Sequence, residues 1–379
     1  MLQTSCFVAR SVQELKDGIT TGVPFHPALA LIFSSVKLGL PDLVQTIATI
    51  GIPVFGCSSA GEILVPSQSP PVYEQSAVCC LLDLPPSLFS LRLFDRKNEP
   101  GREFGQRIGR WGMEQFSKPA FILSIANLEN NGEAIIRGIE AACPGGTVIY
   151  GGFAGDNSVP KKTSVFSSTG HSYDGAVVLV IDRSKVAVKG ITSSGWTGVG
   201  AEMVITSSEG SFVYTINGRP ALDVMLEYLN VSEKDLLPVA INFPLLLKRP
   251  DTTELLRTIT AVDADKRSLK FAGNVPQGSK VRFSSSFGDE TVETAIRDIK
   301  NYHPDHAEAD LLLLFSCLAR HRSVGPSVNR EITAIYDLWK CPLVGLFCCG
   351  EIGPNRYGTC ELYNNSLSLV QIQVTPGLP

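Results

Sequence analysis

One pattern occurs three times in this chain: an apolar strand, a helix, and a second strand that breaks at glycine and an acid. The first strands are residues 28–35, 120–127 and 310–317, and each ends in small polar residues. Segments 41–51, 132–143 and 330–340 follow, with apolar residues recurring at three and four positions, the spacing of one helix face. The second strands, 52–62, 147–156 and 342–351, end at Glu62, Asp156 and Glu351. Strand, helix, strand in this order implies parallel pairing through a right-handed crossover. A further strand follows each unit, at 76–84, 174–181 and 366–374, and reads as an added hairpin. The expected fold class is therefore α/β, in two domains, with repeated βαβ units, added antiparallel hairpins and mixed sheets.

Between the second and third copies the chain changes character. Strands are expected at 185–190, 201–208 and 211–216, then a helix over 220–229 with Pro220 in its first turn. Two strands flank the turn Asp263–Ser268, another covers 280–286, and a helix spans 289–302. The expected boundary lies near residue 215, giving domains 1–215 and 216–379. A length of 379 residues suits two or three domains of about 150 residues, each able to bury a core without disulfides.

Composition excludes several classes of function. The net charge of −4 leaves no surplus of cations for phosphates, so nucleic acid is not an expected partner. The apolar runs stop after a strand's length, far short of the roughly 18 residues of a bilayer span, so no membrane insertion is expected. The first residues carry neither a basic start nor an apolar stretch, and the expected location is cytoplasmic. The ten cysteines include no Cys-x-x-Cys pair, so they are read as reduced and no metal site is expected.

The chemistry concentrates in three loops at strand ends, where ligands sit in open α/β sheets. They are Gly56-Cys57-Ser58-Ser59-Ala60-Gly61-Glu62, Gly151-Gly152-Phe153-Ala154-Gly155-Asp156 and Gly345-Leu346-Phe347-Cys348-Cys349-Gly350-Glu351. None contains Lys or Arg, and none has the Gly-Lys-Ser/Thr ending of a phosphate loop. Acids suit a cationic group, such as the ammonium of an amino acid, and Arg320, three residues after Cys317, could take its carboxylate. The alternatives are that the glycines serve tight turns, that the acids cap helices, and that Arg320 bridges acids of its own domain. A thiol enzyme using Cys57 or Cys317 with a histidine is a further alternative, without local signature residues to support it. The ligand-binding set read from the chain is Gly56, Cys57, Ser58, Ser59, Glu62, Gly152, Asp156, Cys317, Arg320, Gly350 and Glu351.

These residues carry a resemblance. Gly56-CSSAGEI-63, Gly151-GFAGD-156, Asn217-GRPALD-223, Phe315-SCLAR-320 and Gly350-EIGP-354 resemble the successive signatures of the FIST family, named for F-box and intracellular signal transduction proteins. The first two resemble its N-terminal domain. The last two, with the closing Tyr363-Asn364-Asn365-Ser366, resemble its C-terminal domain, and this adds Asn364 to the ligand-binding set. The resemblance implies a sensory module for an amino acid or similar small molecule, passing its signal to a partner protein, and no catalytic activity. It also admits a haem-binding nitric oxide sensor and a protein-interaction adaptor. The family commonly has a histidine where this chain has Tyr363; His171 or a cysteine would have to replace it as a haem ligand. No other cofactor is implied.

Overall fold

The structure, a computed structural model, describes residues 2–21, 23–66, 70–144, 146–156, 163–249, 254–355 and 357–375. Each copy of the repeated unit forms its own sheet around a parallel pair. Leu29–Ser35 pairs with Val54–Ser59, Pro119–Ile125 with Val148–Phe153, and Leu311–Cys317 with Leu343–Cys348. Helices Leu40–Ala48, Gly132–Ala142 and Val328–Trp339 make the crossovers. The third strands, Ala77–Leu82, Gly175–Asp182 and Leu367–Val374, run antiparallel beside the first of each pair.

The last two strands of each sheet come from another copy. The hairpin Glu62–Val65 and Val72–Tyr73 leaves the first copy and joins the third sheet, with Glu62 opposite Leu346. The hairpin Val165–Ser167 and Gly170–Ser172 leaves the second copy and joins the first sheet, with Phe166 opposite Gly56. The hairpin Glu351–Pro354 and Cys360–Tyr363 leaves the third copy and joins the second sheet, with Glu351 opposite Gly152. The exchange is cyclic, and all three sheets are mixed.

Alternation along the strands explains why they read as unbroken apolar runs: both faces are buried. Leu31 and Phe33, Ile122 and Leu179, and Leu313 and Phe315 point into one shared central core, where the Phe33 and Phe315 rings meet edge to face at 6.4 Å. Their neighbours point outward under helices. Ala30 and Ile32 lie under Leu15, Leu43 and Ile47; Leu123 and Ile125 under Ile108, Ile135 and Ile139; Leu312 and Leu314 under Ile296, Ile332 and Ile335.

Residues 197–285 form a separate β-rich insert with its own core around Met203, Leu222, Met225, Leu245 and Phe271. The long strand Thr197–Glu209 pairs on one side with Lys280–Ser285 and on the other with Phe212–Ile216, and its register slips between Val199 and Met203. Ion pairs fasten the insert to the second sheet, through its crossover helix and the hairpin lent by the third copy. Arg257, fully buried, pairs with Glu133 and donates to the carbonyls of Leu362 (3.1 Å) and Asn274 (3.1 Å). Arg249 bridges Glu133 (3.0 Å) and Glu361 (2.8 Å), and Arg137 reaches Glu361 at 2.8 Å.

Candidate functional site

The three glycine loops come together, and they bind one another. Ala60 N–H donates to Phe347 O (2.9 Å) and Phe347 N–H to Gly61 O (2.8 Å); Phe153 N–H donates to Gly350 O (2.9 Å) and Gly155 N–H to Ser58 O (2.8 Å). Every pair of loops is thus joined by main-chain hydrogen bonds. Close approach is what the glycines supply. A Cβ on Gly155 would stand 2.2 Å from Phe347 O and 2.6 Å from Ala60 N, backbone atoms of the other two loops. Gly155→Ala is therefore expected to lose about 1–3 kcal/mol of stability by overpacking, read from its denaturant midpoint. The same substitution at Gly146, where a Cβ meets nothing within 4 Å, creates no such clash, although its φ of +94° adds some backbone strain.

The acids of these loops face inward. Glu62 accepts from Ser59 Oγ, from Ser76 Oγ (2.6 Å) and from Ser76 N–H (3.3 Å). Glu351 occupies the matching place in the third copy, accepting from Ser366 Oγ (2.6 Å), Ser366 N–H (3.2 Å) and Cys348 Sγ (3.3 Å). Both are fully buried, and burial pushes each carboxyl up from the ordinary 4.5 to about 7. Asp156 is likewise buried. Ser58 is held by the Ser164 backbone, its Oγ accepting from Ser164 N–H at 3.0 Å. Gly56 lies against the Phe166 ring, and Gly152 against Gly350 O and Cys348. Burial pushes the Cys57 thiol up to about 12 and the Cys317 thiol well up, with the Glu351 charge adding at Cys317. An activated cysteine needs the opposite shift.

Arg320 also has its partners within the chain. Its guanidinium is fully buried, with Nε donating to Glu331 Oε2 at 3.1 Å, Nη2 to Glu331 Oε1 and Nη1 to Ser194 O. Of the readings held open for this residue, the structure draws the internal bridge. The same guanidinium lies 5.4 Å from the centre of the Trp196 ring.

Trp196 leads to a cleft of about 540 Å³ between the third sheet and the insert. The sheet side supplies Thr192, Ser193 and Trp196, the helix Asp289–Tyr302 supplies Asp298, and the insert supplies Lys248 and Glu254. Of the residues read from sequence, Asn364 lies here, beside Tyr363 and Ser366. Ser366 is also the donor to Glu351, so one loop carboxyl sits directly behind the cleft wall. Ser193 Oγ donates to Asp298 Oδ2 at 2.6 Å, and Asn364 Nδ2 to Tyr363 O at 3.0 Å. Lys248 and Glu254 stand opposite each other in register on adjacent strands.

Three of the residues lining this cleft each carry a buried polar atom that makes no hydrogen bond among the described residues: Thr192 Oγ1, Trp196 Nε1 and Asn364 Oδ1, with Trp196 and Asn364 only 7% and 4% exposed. Such groups cost free energy unless something satisfies them, and they mark where a polar guest gains most. Apart from the closing motif with Tyr363, Asn364 and Ser366, the cleft residues escaped sequence reading because they come from separate elements: Val186–Ser193, Leu245–Lys248, Glu254–Arg257 and Asp289–Tyr302. One local signal existed: the turn Ser193-Ser194-Gly195-Trp196 sets a large aromatic among small polar residues.

Haem needs an axial donor. Among the described residues lining the cleft there is no histidine or cysteine. Its phenol, Tyr363, donates to Pro354 O at 3.3 Å, and burial pushes its pKa up, away from phenolate. His171 is exposed on the hairpin at the end of the first sheet, edge to face with Tyr173. These residues do not fit a haem site. A second concavity, about 470 Å³, lies at Arg92 and Lys97; there Arg96 and Arg107 are already paired with Asp174 and Glu99.

Comparison with known proteins agrees with the signatures in the loops. The family model of the FIST N domain matches residues 28–219, and that of the FIST C domain matches residues 221–354. An uncharacterized protein of Mycobacterium bovis is 22% identical over 223 residues, covering 55% of this chain and 56% of the relative. An uncharacterized protein of Mycobacterium tuberculosis matches to the same extent. The match thus spans little more than half the length of these curated relatives. No helix among the described residues is long and apolar enough to cross a membrane.

Proposed function

We propose, from the premise that the chain belongs to the FIST family, that it is a sensory module whose ligand enters the cleft between the third sheet and the insert. FIST domains are associated with sensory roles in signal transduction. The ligand class we assign is an amino acid or a similar small zwitterion, and the signal passes to a separate partner protein. The observation that carries this reading is that three residues of one cleft, Trp196, Asn364 and Thr192, each hold a buried polar atom (Nε1, Oδ1 and Oγ1) just behind its wall with no partner among the described residues. An indole N–H is a donor and an amide oxygen an acceptor, so together they suit a ligand bearing both complements. Lys248 supplies a cation for a carboxylate, while Asp298 and Glu254 supply anions for an ammonium. The loop acids and Arg320, buried among their own partners, take no part in contact with the ligand.

A thermal-shift screen of amino acids and small carboxylates tests this. A ligand at 100 times its Kd adds about 2.7 kcal/mol, a rise of several degrees in Tm. Trp196→Phe keeps an aromatic ring beside Arg320 and removes the N–H together with the rest of the five-membered ring, and it is expected to weaken binding about tenfold, or about 1.4 kcal/mol. A flat screen across all of these compounds sinks the ligand class. Equal affinity in Trp196→Phe moves the site away from the cleft.

A further inference from the structure

The edge strand of the first sheet carries a thiol pair that the sensory reading does not use. Thr4–Ala9 runs antiparallel to Ala77–Leu82, with Cys6 directly opposite Cys80 and Phe7 opposite Cys79. Side chains alternate across a strand, so Cys6 and Cys80 share one face and Cys79 takes the other. The packing agrees: Cys80 lies in the central core with Cys6 against it, whereas Cys79 lies in the outer core beneath the helices. The sulfur atoms of Cys6 and Cys80 are 2.8 Å apart. A disulfide bond needs about 2.05 Å, so bond formation asks for less than about 1 Å of movement from side chains already facing each other.

We propose that Cys6 and Cys80 form a reversible disulfide, a modification site that responds to hydrogen peroxide. Cys6 is the half-exposed member and meets the oxidant, while Cys80 is fully buried and resolves it. The Cys6 thiolate attacks one peroxide oxygen; the O–O bond breaks, the distal oxygen leaves and takes up a proton as water, and Cys6 becomes a sulfenic acid. Cys80 sulfur then attacks Cys6 sulfur. The S–O bond breaks, the hydroxyl leaves with the Cys80 proton as a second water, and the S–S bond forms. Two thiols are oxidised and one hydrogen peroxide is reduced. The bond pins the edge strand to the first sheet across a separation of 74 residues. That closure constrains the unfolded chain and raises Tm.

The test treats the reduced, full-length protein with dilute hydrogen peroxide and maps the products by mass spectrometry. The expected product has lost two hydrogen masses, links the Cys6 and Cys80 peptides, melts several degrees higher, and reverts with dithiothreitol. Labelling of Cys6 by a maleimide should fall about tenfold on oxidation, while that of half-exposed Cys341 stays unchanged. Cys79→Ser should form the same link, and Cys6→Ala should form none. A link through Cys79, or Cys6 driven to sulfinic acid with no link at all, overturns the proposal. Because the mapping is done on the unsubstituted protein, a variant that folds poorly does not obscure the result.

Discussion

Glu331→Ala is expected to destabilise the protein by about 3–5 kcal/mol, because it strands the Arg320 guanidinium in a site with no access to water. Arg320 and Glu331 are 0% and 1% exposed, so solvent cannot take over the lost partner. The damage has a defined route. Arg320 Nη1 holds the Ser194 carbonyl and its guanidinium sits beside Trp196, so the turn that builds one wall of the cleft rests on this pair. Denaturant unfolding measures the loss, and Trp196 fluorescence reports whether the turn moves with it. Replacing both partners, as in Arg320→Met with Glu331→Leu, removes the stranded charge along with the bridge and is expected to cost far less than Glu331→Ala alone. A Glu331→Ala variant as stable as the parent would show that the pair does not bear on the wall.

The second large effect is one of pH. In the unfolded chain a glutamate ionises near its ordinary 4.5, whereas buried Glu62 and Glu351 hold their protons up to about 7. The fold therefore binds more protons than the unfolded chain over this interval. The stability that these protons confer is complete below about 4.5, declines as pH rises, and is gone above about 7. A gap of this size corresponds to about 3 kcal/mol per carboxyl. Chemical denaturation of the parent at pH 5 and at pH 8 should show the greater stability at pH 5. Glu62→Gln with Glu351→Gln replaces each acid by a neutral amide, and it should flatten that difference. An unchanged slope in the double variant would mean that other groups carry the proton linkage.

Much of this architecture was legible in the chain, and the parts that were not share a physical cause. The helix expected over 132–143 ends at Ala142, and the helix expected over 289–302 is Asp289–Tyr302, because their 3.6-residue apolar period comes from their own residues. The helix Gly101–Gln115 went unread although Phe104, Ile108 and Trp111 recur at four and three positions, because its glycines hide it. Gly101, Gly105, Gly109 and Gly112 lower its intrinsic propensity, and only packing explains them: a Cβ on Gly105 would stand 2.1 Å from Ile135 O of the neighbouring helix, and one on Gly112 2.3 Å from the Phe121 ring beneath. The exchange of hairpins was equally hidden, since strand periodicity records which face is buried and says nothing of which strand lies alongside. The loops were found by composition. What lies in their meeting place, backbone of the other two loops, is a property of three distant segments at once. The cleft was hidden for the same reason, apart from the closing motif that holds Tyr363, Asn364 and Ser366.

The cyclic lending of hairpins bears on how the chain could be divided. The two family models meet near residue 220, yet the sheets are not partitioned there. A fragment stopping at that point would leave the main chain of Gly151 and Gly152 without the strand Glu351–Pro354, and the hairpin Glu62–Tyr73 without the strand Leu343–Cys348 that receives it. Each bare edge is a template for pairing with another molecule. The three copies are repeats by sequence yet not separable by construction: the first sheet has all its strands once Gly170–Ser172 is made, whereas the second waits for Cys360–Tyr363 and the third for Leu367–Val374.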